Sequence, residues 1–84
     1  MDVSEEQQKL HLLKTRRGLL EFLAGMGGIV NISELHTHSE ATYFVGHKKF
    51  SDLMIVMIAD GVLQHDDEKN DFMLTDKGRE EIAN

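Results

Sequence analysis

The stretch from Phe50 to Ile82, FSDLMIVMIADGVLQHDDEKNDFMLTDKGREEI, constrains the fold more than any other part of the chain. Phe50, Leu53, Met54, Met57 and Ile58 fall at i, i+3, i+4, i+7 and i+8, the stripe of an amphipathic helix running from His47 to Asp60. Ser51, Asp52 and Ile55 lie off that stripe. Gly61 is placed to end the helix as its C′ residue. Val62-Leu63-Gln64-His65 and Asp71-Phe72-Met73-Leu74 then flank the polar run Asp66-Asp67-Glu68-Lys69-Asn70, which predicts a hairpin with an acidic tip. Thr75 or Asp76 is positioned to cap a last helix that ends at Ala83.

Upstream, Ser4-Glu5-Glu6-Gln7 has the pattern of a capping box, with Ser4 as N-cap. Leu12, Leu13, Leu19, Leu20 and Leu23 follow at helical spacing. Gly18 interrupts that run at a cost of roughly 1 kcal/mol relative to Ala, so the segment reads as one helix or two. Three glycines in Gly25-Met26-Gly27-Gly28 supply the conformations a helix end and turn require. Ile29-Val30-Asn31-Ile32 is a short strand by its β-branched content. Asn31 or Ser33 caps a short helix from Glu34 to Ala41, with Leu35 as its main core residue. Thr42-Tyr43-Phe44-Val45-Gly46 reads as an extended apolar turn.

Eighty-four residues make a single domain, 1–84, with a modest core. An apolar fraction of 40% suits a globule rather than a disordered tail. With no Cys there is no disulfide, thiolate metal site or Cys nucleophile. The longest apolar run, Leu53 to Ala59, is far short of the ~20 residues that span a bilayer. The start MDVSEEQQKL lacks the character of a signal peptide. The expectation is a soluble, cytoplasmic protein of a bacterium, an archaeon or one of their viruses.

The order helix, short strand, helix, helix, hairpin, short helix resembles the winged helix-turn-helix superfamily, a mainly α fold with a small β-hairpin (α+β). Within it the chain is similar to small prokaryotic or viral regulators related to the MarR and PadR groups. The resemblance covers Thr15 to Ile82. It rests on Phe50-Ser-Asp-Leu through Ala59-Asp60-Gly61-Val62-Leu63, like a recognition helix entering a wing. It rests also on Phe72-Met-Leu-Thr-Asp-Lys-Gly-Arg-Glu, like the return strand and the "LT-x-x-G" start of the next helix. The chain departs from the pattern at the wing tip, where Asp66, Asp67, Glu68 and Asp71 outnumber the single base Lys69. Such a tip repels phosphate. The link between the second and third helices is also longer and more apolar than a tight helix-turn-helix turn.

The resemblance implies a transcriptional regulator whose helix at about 47–60 enters the major groove of double-stranded DNA. Lys48 and Lys49 are then the main contacts, with His47, Ser51, Thr42 and Tyr43 beside them. Lys14, Arg16 and Arg17 form a second basic cluster. Each cluster has a plainer reading as a solvated helix face, and Arg17 is spaced to pair with Glu21. The net charge of −6 favours a different class, an acidic protein-interaction module that binds no DNA. The surplus apolar residues Leu10, Leu12 and Leu13 mark residues 1–14 as a helical extension suited to homodimerisation. His36, His38, His47 and His65 lack an i, i+4 pair, so no metal site is expected. No nucleophile elbow, phosphate-binding loop or calcium loop is present, so neither enzymatic activity nor a cofactor is expected.

Overall fold

The computed structural model describes residues 2–83, with side chains from residue 5 onward. It contains helix α1 (Asp2–Gly25), strand β1 (Ile29–Asn31), helices α2 (Ile32–Tyr43) and α3 (His47–Ala59), strands β2 (Leu63–Asp66) and β3 (Asp71–Leu74), and helix α4 (Asp76–Ala83). The three strands form one antiparallel sheet in the order β1-β3-β2. This is a mainly helical α+β fold whose element order is compatible with a winged helix.

The glycine run after Leu23 and the single Gly61 do the same work. Gly27, at φ 88°, closes α1: its N–H donates to Ala24 O, and the Gly28 N–H reaches back to Leu23 O at 2.8 Å. Gly61, at φ 81°, closes α3 through Gly61 N–H to Ile58 O and Val62 N–H to Met57 O. Both are Schellman ends, in which a left-handed residue turns the chain and satisfies two orphan carbonyls. The first reversal sends the chain into β1. The second drops Val62 and Leu63 into the core, where both are buried.

The sheet is centred on β3. Phe72 lies opposite Val30 of β1 on one side and His65 of β2 on the other. Phe72 and Val30 are both buried, and they meet Leu19, Leu20 and Leu23 of α1, Leu35 of α2, and Phe50, Leu53, Met54 and Met57 of α3. Thr75 joins the sheet to α4. Its hydroxyl donates to Gly61 O at 2.7 Å and accepts the Gly78 N–H at 3.0 Å, so one side chain caps α4 and ties it to the exit of α3.

Several boundaries differ from those the sequence predicts. The segment before Gly25 is one helix despite Gly18. The ring of Tyr43 lies where a side chain at position 18 would stand, so the missing Cβ is what lets α2 approach α1. The same helix extends to Asp2, which puts Ser4 inside it rather than at its start; the Ser4 side chain lies outside the described residues. Helix α2 begins two residues early, at Ile32, because the Asn31 side chain accepts the Ser33 N–H at 2.9 Å. It also ends later than Ala41. Thr42 and Tyr43 are its last residues and not part of an extended turn, because Phe44 closes the helix in the left-handed region (φ 58°) with its N–H on Glu40 O. The apolar stripes are narrower than their spacing predicts. Ile58 of α3 is exposed, and so are Leu12 and Leu13 of α1, which line an open groove toward α3.

Candidate nucleic-acid interface

Helix α3 starts at Gly46, which has no side chain to offer, and its first turn carries His47, Lys48 and Lys49 with no acid. Its leading N–H groups therefore have no side-chain cap, and the positive end of the helix dipole adds to the lysines. All three side chains are exposed, and among the described residues neither lysine makes an ion pair. Ser51, one turn on, is exposed as well.

The side chains of this turn divide between two depressions. His47 and Ser51 line a cleft completed by Ser33 and His36 of α2, Ile55 and Ile58 of α3, and His65 and Phe72 of the hairpin. The His36 ring stands edge-on to His47 and to Phe50, at centroid distances of 5.3 and 5.0 Å, and its buried Nε2 has no hydrogen-bond partner. Lys49 instead lines a groove between α1 and α3, together with Lys9, Leu12, Leu13, Arg16 and Val56. Among the described residues no group of three or more His, Asp or Glu is placed to hold a metal ion.

The other site residues named from the sequence are placed as follows. Thr42 is exposed, 3.5 Å from His38 Nδ1. Tyr43 is half-buried, its hydroxyl against Gly18. Lys14 is exposed on α1 and lines neither depression. Arg17 donates to Ile82 O and lies 3.7 Å from Glu21. Arg16 is the most tightly held. Its Nε and Nη2 form a fork on the Glu81 carboxylate at 2.8 and 2.7 Å, and its Nη1 reaches Asp60 at 2.6 Å. The hydrogen bonds to Glu81 raise the Arg16 pKa, and the same bonds hold the Glu81 carboxyl below the ordinary glutamate range. Arg16 thus ties α1 to the end of α3 and to α4, with three of its five N–H donors engaged within the chain. Spacing could not show this, because the two acceptors lie 44 and 65 residues away.

The tip of the β2–β3 hairpin is ordered by its own acid. Asp66 Oδ1 accepts the N–H groups of Glu68 and Lys69 at 3.0 and 3.3 Å, and His65 Nδ1 lies 3.0 Å from Asp67. Phe44, beside the start of α3, is 86% exposed in a left-handed conformation.

No protein-family model, curated protein or solved structure matches the chain. Among the described residues no helix is long and apolar enough to cross a membrane.

Proposed function

We propose that the chain is a winged helix-turn-helix domain that binds duplex DNA as a transcriptional regulator. In this reading α2 and α3 are the helix pair, the first turn of α3 enters the major groove, and the β2–β3 hairpin is the wing. The observation that carries it is that first turn: a helix N-terminus without a side-chain cap, bearing the exposed Lys48 and Lys49, neither in an ion pair among the described residues, and no acid. Free backbone N–H groups and two ammonium groups in one helical turn suit phosphate contacts, and the face behind them reads base edges. His47, Ser51 and Thr42 flank this turn, and Lys14 is a peripheral phosphate contact. Arg16, Arg17 and Tyr43 serve the fold instead. The wing, with Asp66, Asp67 and Glu68, stays off the phosphate backbone.

Reversing both charges with Lys48→Glu and Lys49→Glu tests this directly. The variant should lose DNA binding in a gel-shift assay while its circular dichroism is unchanged, since neither side chain is in the core. Milder changes to Ala at both positions should flatten the dependence of log K on log salt by about 1.8, roughly 0.9 for each lost phosphate contact. Undiminished binding by the reversed variant removes α3 as the reader.

A second reading is favoured by a different observation. Ile55 is 64% exposed on the outward side of α3, next to the exposed Val56 and Ile58. An apolar face beside an acidic hairpin suits a protein partner that presents apolar and basic side chains. Absence of DNA binding even at low salt, with binding to a partner lost on Ile55→Asp, would select this second reading.

A further inference from the structure

We propose that the groove between α1 and α3 is a docking site for an acidic amphipathic helix of another protein. The groove stands without the DNA reading; only its effect on DNA rests on that reading.

Both walls of the groove are helices with apolar side chains. Leu12 and Leu13 of α1 line one side, and Leu53 and Val56 of α3 line the other. Of these only Leu53 is buried. The space is about 610 Å³, the size of a small-molecule site. Such sites enclose most of their ligand, however, and this one is open to solvent. A helix suits it better, because apolar residues at i, i+3, i+4 and i+7 form a ridge that packs between two helical walls. The α1 wall also gains by being covered. Residues 5–14 are all exposed, and a helical segment so short is marginal in water unless something packs on it.

The charge of the lining selects an acidic occupant. The chain as a whole carries −6, yet this groove is cationic. Lys9 stands on the α1 wall and Lys49 on the α3 wall. Both are exposed, and neither is in an ion pair among the described residues. Asp52 is the one acid among the described lining residues. A helix with an apolar stripe flanked by Glu would set carboxylates beside Lys9 and Lys49 while its stripe covers Leu12, Leu13 and Val56. The protein partner considered above is basic and meets the hairpin; this groove takes the opposite charge. Lys49 also belongs to the cationic turn of α3. On the DNA reading, an occupied groove takes Lys49 from the duplex, so the partner acts as an antagonist of DNA binding.

The probe is a fluorescent synthetic peptide of about 15 residues, long enough to form a helix, with Leu at i, i+3, i+4 and i+7 and Glu on either side. Anisotropy with the full chain and no DNA should give a Kd of about 10–100 μM, as suits a small interface. Lys9→Glu with Lys49→Glu should weaken binding about tenfold, and that variant should instead bind the same peptide with Lys in place of Glu. Leu13→Ser with Val56→Ser should weaken it about tenfold as well, with the near-ultraviolet signal of the core unchanged. Should that pair lose its fold, Val56→Thr alone replaces it, with about a threefold loss expected. Leu10 and Ile55 do not line the groove, so Leu10→Ser and Ile55→Ser should leave the affinity within about twofold. No saturable binding up to about 1 mM peptide overturns the site. Equal binding of the acidic and basic peptides by the wild type overturns the charge selection. A wild type that sediments as a dimer throughout, and becomes monomeric and peptide-binding only in Leu10→Ser, gives the groove to a second copy and overturns the foreign partner. Peptide binding that leaves a DNA gel shift unchanged overturns the antagonism alone. Lys48→Glu, outside the groove, should weaken DNA binding on that reading and spare the peptide, so the two failures are separable.

Discussion

Gly78 acts by what it lacks. At Gly78 a Cβ would stand 2.5 Å from Val62 O and 2.6 Å from Leu74 Cδ1. The first of these is backbone and cannot give way. Gly78→Ala should destabilise the protein by about 2 kcal/mol, a typical cost of overpacking, read as a lower urea midpoint with unchanged m. This contact is the physical content of the spacing from Thr75 to Gly78: the capping hydroxyl and the close approach belong to one turn. Phe44 is the reverse case, a bulky residue in the left-handed conformation that glycine occupies freely. Phe44→Gly should raise stability by up to about 1 kcal/mol by relieving that strain, offset in part by the greater freedom of glycine in the unfolded chain. The Arg16–Glu81 fork sets a pH response. Glu81 has its pKa lowered in the folded state, by the hydrogen bonds from Arg16. Its contribution is therefore complete above the ordinary glutamate value of about 4.3 and is lost as pH falls through the lower folded value. Glu81 is about one-third exposed, so solvent screening limits the effect of Glu81→Gln at neutral pH to about 1 kcal/mol. Urea titrations should show that difference between variant and wild type shrinking in the acid range.

Among the elements, the hairpin separates shape from charge. Strands β2 and β3 pair from Leu63↔Leu74 to Asp66↔Asp71, a hairpin compatible with a wing, yet the tip carries Asp67 and Glu68 where a phosphate clamp needs bases. If α3 is held against DNA, those carboxylates weaken binding by repulsion. Asp67→Lys with Glu68→Lys should strengthen DNA affinity by roughly an order of magnitude at low salt, with the gain shrinking as salt rises. Asp66 should be left intact in that experiment, because its side chain holds the tip through the N–H groups of Glu68 and Lys69. Helix α3 is similarly divided along its length, cationic in its first turn and apolar at the exposed Ile55 and Ile58. One end suits nucleic acid and the middle suits protein, and the two proposed readings differ in which part makes the principal contact.

Across the whole molecule, α1 sets the dimensions. Its 24 residues extend about 36 Å, close to the longest dimension of 42 Å. Its residues 5–14 are exposed, and its buried residues are Thr15, Leu19, Leu20 and Leu23. Arg16 stands near the junction, bonded to the end of α3 and to α4. If the chain pairs through the surplus leucines of residues 1–14, as the homodimer expected from the sequence would, a melting temperature that rises with protein concentration, and no longer does so in Leu10→Asp/Leu13→Asp, is its measure.

The order of elements was legible in the sequence because it rests on local chemistry. Periodicity marked α3, β-branched and aromatic residues marked β1 and β3, and Gly61 and Thr75 marked the ends that close α3 and open α4. The residues that turn those elements into one surface were not legible. Gly18 reads as a helix breaker until Tyr43 is seen to occupy the place of its side chain. Arg16 reads as part of a basic patch until Asp60 and Glu81 meet it from distant parts of the chain. Ile58 reads as part of the core stripe of α3, yet it is 39% exposed. The sequence by itself determined where helices and strands begin and end to within a few residues, because caps and periods act between near neighbours. Only the tertiary structure decided which charges are spent within the chain and which apolar residues remain exposed, because both depend on partners that spacing cannot reveal.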